Sequence, residues 1–195
     1  MFGYEPNWML PFEHGDTVTI SWDTKGPIAG PFSTPIYSER SIDKSSRKWL
    51  DKCVTRLEDY LPFNFKIKAD NKKADIRFTV SDATIEVYGF DLPPGTSIGG
   101  IFIPGNTYNN VVLRHEPLRF DWYRRIATHE LGHALGLTHP GTGGFDSTYT
   151  TADTIMSYNV TDRDPWFKPL DLQRLQELWG HNKRDIDPIT GLTFS

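Results

Sequence analysis

The 195-residue sequence contains a single cysteine, no run of lysine or arginine longer than two residues, and no long apolar stretch. One cysteine excludes an internal disulfide and a metal site closed by several thiolates. The net charge of −4 argues against nucleic-acid binding, which needs a basic surface. The apolar stretches are far shorter than the roughly 20 residues that cross a bilayer, so we expect no membrane span. The N-terminal stretch MFGYEPNWML also lacks the charged and apolar regions of a conventional signal peptide.

The remaining composition is that of one globular domain. Hydrophobic residues make up 37% of the chain and aromatic residues 13%, which is enough for one substantial core. We therefore expect residues 1–195 to form a single domain and the protein to be a monomer. The lone Cys53 falls on the apolar face of an expected helix, and we interpret it as a small buried hydrophobe rather than a reactive thiol.

The spacing of apolar residues predicts an α+β fold. Val18, Ile20 and Trp22 alternate with polar residues, as in a half-buried strand. After a connection rich in glycine and proline, residues 41–62 show helical spacing that stops at Pro62. Further strands are predicted at 63–68, 74–80, 97–105 and 109–115, followed by a helix with its N-cap at Asp121 and a last helix that ends at Gly180. This order predicts a crossover unit in a twisted, mixed sheet.

The strand predicted at 97–105 is interrupted by Gly99 and Gly100 and ended by Pro104. Glycines inside a strand mark a bulge or a place where another backbone comes close. We therefore expect this segment to be an edge strand that a second backbone approaches.

The stretch HELGHALGLTHPG, residues 129–141, carries three histidines. In a helix, residues four apart project from one face, so His129 and His133 can bind one ion together. Gly136 can take a positive φ, end the helix and return the chain so that His139 reaches the same point. Three neutral imidazoles leave a coordination position open for water, as a catalytic zinc site requires.

Glu130 points about 100 degrees around the helix from His129, which suits a general base facing that water better than a metal ligand. The alternative is that these are ordinary helix residues, since a bare HExxH is a weak signal. The full pattern H-E-x-x-H-x-x-G-x-x-H fixes five positions, and a chance match is on the order of one in ten thousand. The pattern therefore favours a metal site.

At these residues the sequence resembles the metzincin clan of zinc endopeptidases. The TIMSYN stretch supplies a methionine, Met156, where that clan has a tight turn beneath the metal. Pro140 and Gly141 after the third histidine, together with Tyr158, are most similar to the serralysin group. The glycine-rich calcium-binding repeats of that group are absent from the sequence, so calcium is not predicted.

The resemblance implies a metzincin-type fold with an active-site cleft between two lobes. Residues 17–136 would form an upper lobe with a twisted sheet and two helices, and 137–195 a lower lobe with the Met-turn and the C-terminal helix. Residues 1–16 would be an N-terminal extension. Substrate would lie along the edge strand at Gly100, Ile101 and Phe102. The resemblance also implies a secreted or extracellular protein.

The resemblance further implies the roles of individual side chains. His129, His133 and His139 would bind one catalytic zinc, with Met156 as structural support. Glu130 would be the general base, and Tyr158 would stabilise the tetrahedral intermediate unless it is only a packed structural tyrosine. The expected activity is hydrolysis of protein or peptide substrates.

Two other functions stay open at this point. The domain can be a non-catalytic binding module that uses zinc only for stability, or a processing protease of narrow specificity. The FEHGD stretch, residues 12–16, is also similar to a segment with which astacin propeptides place an aspartate on zinc. Asp16 is therefore either a latency ligand or an ordinary turn residue.

Overall fold

The computed structural model describes residues 10–22, 27–29, 35–37, 42–68, 73–81, 100–105, 109–114, 120–141 and 143–182. The elements in these ranges are β1 (Thr17–Ser21), β2 (Pro27–Ala29), β3 (Pro35–Tyr37), α1 (Lys44–Leu57), β4 (Asn64–Lys68), β5 (Ile76–Ser81), β6 (Gly100–Ile103), β7 (Asn109–Arg114), α2 (Phe120–Ala134) and α3 (Pro169–Trp179). The described part of the chain is therefore an α+β fold, as predicted.

Five strands form one mixed sheet in the order β4-β1-β5-β7-β6. Strand β1 runs parallel to β4 and β5, and β5 runs parallel to β7, which confirms the crossover unit. Strand β6 is antiparallel to β7 and lies at the edge, which confirms the edge-strand prediction. Strands β2 and β3 form a separate antiparallel pair within the segment that the sequence predicted to be a plain connection.

Helix α1 begins where Asp43 caps it, with the carboxylate accepting from the backbone N–H groups of Ser45 and Ser46. The prediction that this helix continues to Pro62 was wrong, because it ends at Leu57. A proline disfavours helical geometry in the residue before it, here Leu61. The chain leaves the helix one turn before Pro62 through a tight turn. The side chain at 61 is still fully buried, so its apolar spacing was real although its helical geometry was not.

The core lies where α1 and α2 pack against each other and against the sheet. The predicted inward side chains of β1 are buried, and Trp22 meets Phe78 edge to face with ring centroids 4.8 Å apart. Cys53 is only 3% exposed, and its burial raises the pKa of the thiol, which confirms its interpretation as a buried hydrophobe.

Helix α2 begins at Phe120, so Asp121 lies inside its first turn and is not the N-cap that the sequence predicted. A carboxylate in the first turn still favours the helix, because it interacts with the positive end of the helix dipole. Helix α3 ends at Trp179, and Gly180 is its C-cap with a φ of 86°, which confirms the predicted end of this helix. No helix in the described ranges is long and apolar enough to cross a membrane. The division of the chain into two lobes about a cleft stays a prediction.

Candidate metal centre

The predicted histidines lie at the end of α2 and just beyond it. His129 and His133 are on the last turns of the helix. Gly136 takes a φ of 97° and its N–H donates to the carbonyl of His133, while the N–H of Leu137 donates to the carbonyl of Gly132. This pattern of bonds ends the helix and turns the chain back. The sequence prediction for the glycine is therefore confirmed.

The three imidazoles converge on one point. The Nε2 atom of His139 lies 3.1 Å from the Nε2 atoms of both His129 and His133. Their candidate ligand atoms all lie within 4.8 Å of one another. Nitrogen atoms bound to a tetrahedral zinc at about 2.0–2.1 Å would be slightly over 3 Å apart. These three residues are therefore close enough to hold a metal ion.

The other ring nitrogens fix which tautomers the histidines adopt. Nδ1 of His129 lies 2.9 Å from the carbonyl oxygen of Ile155, and Nδ1 of His133 lies 2.8 Å from that of Leu137. Because a carbonyl only accepts, each Nδ1 must carry the proton and donate it. The Nε2 atoms of His129 and His133 then present lone pairs to the same point. A metal cation can accept all of these lone pairs at once, whereas a single shared proton cannot.

The surroundings of the cluster keep the imidazoles neutral. Burial lowers the pKa of His133 to about 4 and that of His139 to about 3, the neighbouring His133 adding to the second shift. Burial also holds the pKa of His129 well below its usual range, with further contributions from the other two rings. Neutral imidazole is the form that binds a metal, so the site is ready for a cation at neutral pH.

Glu130 is buried beside the cluster but is not part of it. Its side chain is 6% exposed, and its carboxylate accepts the backbone N–H of Phe102 on β6. Burial raises the pKa of Glu130 to about 8. A cation at the histidines would oppose that shift, because a nearby positive charge favours the carboxylate.

Gly100 makes room for this glutamate. A Cβ atom at Gly100 would lie 2.9 Å from Cγ of Glu130 and 2.8 Å from Cγ2 of Ile126. The side chains nearest to Gly100 belong to α2, and the approach of a second backbone to this glycine stays a prediction. Gly99 lies outside the described residues.

The rest of the predicted substrate strand lies next to α2. The ring of Phe102 stacks on that of His133, with centroids 6.0 Å apart and an interplanar angle of 24°. Ile101 pairs with Val112 in the sheet. Contact between this strand and a substrate stays a prediction.

Met156 lies under the helix that carries the first two histidines. It is fully buried, and a Cβ atom at Gly132 would lie 2.8 Å from its sulfur. The thioether therefore packs on the backbone of α2 between the two histidines on that helix. Its role as structural support beneath a metal stays a prediction.

Tyr158 packs directly on the histidine cluster. Its ring stacks on His129, with centroids 5.4 Å apart and an angle of 22°, and lies 4.6 Å from His139. Phe145 covers it from another side at 4.9 Å. The tyrosine nevertheless remains 40% exposed, so a molecule at the site can reach it. Burial of the hydroxyl and the nearby charge of Glu130 raise its pKa.

Sequence reasoning missed the residues that hold the turn around Met156. The carboxylate of Asp171 accepts from the hydroxyl of Thr154 and, at 2.8 Å, from the backbone N–H of Ile155 and of Lys168. The Ile155 carbonyl is the partner of His129, so this network supports a candidate ligand. An aspartate in the first turn of α3 is a sequence signal for helix capping. The contact of Asp171 with Ile155 has no signal in the sequence.

Asp16, the possible latency ligand, lies in a turn. Its carboxylate accepts from the backbone N–H of Glu13 at 2.8 Å, and it is outside the candidate metal cluster.

No known protein-family model matches the chain.

Proposed function

We propose that the protein is a zinc-dependent endopeptidase of the metzincin type, most similar to the serralysin catalytic domain. The observation that carries this proposal is the convergence of three neutral imidazole nitrogens beside a buried carboxylate that is not part of the cluster. Binding a metal only for stability does not require Glu130. The pairing of an open three-nitrogen site with a separate carboxylate therefore favours hydrolysis over a binding module.

The donor set fits zinc. Neutral imidazole suits Zn²⁺, and the histidine Nδ1–H groups are already held by backbone carbonyls, as is usual for metal-binding histidines. When bound, zinc supplies a Lewis acid that activates a water molecule and polarises the scissile carbonyl.

The protein side chains then carry the proton transfers. Glu130 takes a proton from the attacking water on a carboxylate oxygen and gives it to the leaving amine. The hydroxyl of Tyr158 donates a hydrogen bond to the oxygen that gains charge in the tetrahedral intermediate. The N–H of Phe102 keeps the Glu130 carboxylate next to β6, along which an extended peptide adds as a further strand.

The direct test replaces Glu130 with glutamine and measures both zinc content and peptide hydrolysis. We expect Glu130→Gln to retain about one zinc per chain and to lose roughly 10²–10⁴-fold in kcat, since it keeps the shape and loses the base. His133→Gln should lose the zinc itself. Glu177→Gln is the matched control, because it removes a surface carboxylate from α3 and should leave both readouts unchanged.

The choice of substrate decides between the remaining alternatives. Casein is assayed first, with and without a chelator, and cleavage across a whole proteome is profiled next. Cleavage of many sequences supports a general endopeptidase, and cleavage of one protein supports a processing protease. A protein that binds zinc and cleaves nothing in either assay contradicts the proposed activity.

A further inference from the structure

Arg125 is a buried cation next to the candidate metal centre. It lies on α2 one turn before His129, and its side chain is 6% exposed. Its Nη2 atom donates to the carbonyl oxygen of Ser157 at 3.1 Å. Among the residues that the structure describes, its buried Nε and Nη1 atoms have no hydrogen-bond partner, and its guanidinium lies 5.2 Å from the ring centroid of Trp122.

The burial of this arginine is unfavourable for the stability of the fold. Burying a guanidinium carries a desolvation penalty that good pairing has to offset, and within the described part of the chain two of its donor atoms have no hydrogen-bond partner. Burial lowers the pKa of Arg125, and the charge of Asp162 opposes that shift. An apolar side chain of similar volume would fill the same space without that penalty. Among the contacts that the described residues make with Arg125, the bond to the Ser157 carbonyl is the one that requires a hydrogen-bond donor, and the face of Trp122 adds a cation–π contact.

The Ser157 carbonyl belongs to the peptide unit that leads into Tyr158. The N–H of the same peptide unit donates to the carbonyl of Gly144 at 2.9 Å. Both polar groups of this planar unit are thus held, one by α2 and one by the segment after His139. Because this peptide plane is held at both ends, the position of the Tyr158 Cα atom, from which the side chain leaves the backbone, is set relative to α2.

We propose that Arg125 is a positioning residue that sets Tyr158 over the histidine cluster through the Ser157 peptide. It couples the orientation of the tyrosine to the helix that carries His129 and His133. The inference rests on the proposed function only for what Tyr158 does in hydrolysis. The placement of the ring by Arg125 can be tested without any turnover.

The first test compares Arg125→Met, which fills the space without a donor, with Arg125→Lys, which keeps a charged donor. We expect Arg125→Met to lower kcat about tenfold with KM within about twofold, because a single charge-assisted bond is lost. Zinc content should stay at about one per chain, and thermal stability should be unchanged or higher. Arg125→Lys should recover most of the lost kcat.

A double-mutant cycle shows whether Arg125 acts through the tyrosine. In the Tyr158→Phe background, Arg125→Met should lower kcat by less than about twofold further, since the group it positions is already gone. Multiplicative losses would overturn the proposal, and so would a fall in stability that parallels the fall in kcat. Where Arg125→Met does not fold, Arg125→Gln takes its place in both experiments.

A spectroscopic measurement covers the case in which no peptide is cleaved. In protein labelled with ¹³C at the tyrosine ring, the signal absent from Tyr158→Phe identifies Tyr158. We expect added zinc to shift this signal in the wild type and in Arg125→Lys, and to shift it less in Arg125→Met. Equal shifts in all three would overturn the proposal. Absence of hydrolysis by the wild type would contradict only the proposed function.

Discussion

Gly100 shows how a single missing side chain can place a catalytic candidate. The carboxylate of Glu130 lies against β6 because residue 100 has no Cβ to fill that space. The sequence indicated that the glycine mattered, but it could not show that the approaching group was a glutamate side chain.

We expect Gly100→Ala to lower kcat with little change in zinc content. The added methyl would lie under 3 Å from atoms of Ile126 and Glu130, so the carboxylate must move. Steady-state kinetics and metal analysis measure the two effects separately. Gly15→Ala is the control, because its added Cβ would meet nothing within 4 Å, while its φ of 92° strains the backbone just before β1 and not in β6. Equal loss of kcat in both variants would contradict this account.

The pKa values of the cluster predict a pH dependence of stability for the protein without metal. His139 titrates at about 3 in the folded protein and at about 6.5 when unfolded, so unfolding takes up a proton between these values. Its contribution to stability is present above pH 6.5 and is lost as the pH falls towards 3. His139→Gln should therefore reduce the slope of unfolding free energy against pH between 4 and 6 by up to ~1.4 kcal/mol per pH unit. Urea unfolding after chelation measures this slope, and an unchanged slope would contradict the value for His139.

At the scale of elements, the end of α2 decides whether three histidines meet. Helices α2 and α3 both end next to a glycine with positive φ, Gly136 at 97° and Gly180 at 86°. A residue with a side chain at such a positive φ costs on the order of 1–3 kcal/mol, so either substitution should destabilise the protein. Only the first of these turns leads directly into a candidate metal ligand.

We expect Gly136→Ala to weaken zinc binding by about tenfold or more, because relief of the strain moves His139 away from the other two ligands. Gly180→Ala carries a similar strain at α3 and should leave zinc affinity unchanged. Competition with a chromogenic chelator measures both affinities. A similar loss of affinity in the two variants would mean that general destabilisation, and not the position of His139, is responsible.

Elements with a clear apolar period were predicted from the sequence, and others were not. Strands β1 and β5 and helix α3 each carry apolar residues at a regular period, so local spacing was sufficient, although β5 is buried on both faces. The pairing of β2 with β3 was missed because a glycine- and proline-rich stretch has no such period. The histidine cluster was predicted because its residues are close in sequence. The contacts of Arg125 with Ser157 and of Asp171 with Ile155 were not, because their partners are 32 and 16 positions away.

At the scale of the whole molecule, the candidate ligands join a helix to the segment that follows it. A ligand that binds only the folded state stabilises it, by about 2.7 kcal/mol at a hundred times its Kd. For a chain of this length, that corresponds to a rise in Tm of roughly 5–11 °C. Zinc should therefore raise the Tm measured by calorimetry, and a chelator should reverse the rise.

The matched variants for this measurement are His133→Gln and His181→Gln. The first removes a member of the candidate cluster and should abolish the response to zinc. The second removes an exposed histidine outside the cluster and should keep it. A response that survives in His133→Gln would mean that the stabilising zinc binds elsewhere.

Ile155 links two distant parts of the chain through its own peptide groups. Its N–H is held by Asp171 of α3, and its carbonyl holds His129 of α2. A truncation that removes α3 would therefore release a candidate metal ligand even though no residue of α3 belongs to the cluster. Anyone who shortens this chain to a minimal metal-binding fragment must keep α3, or supply a new acceptor for the Ile155 N–H.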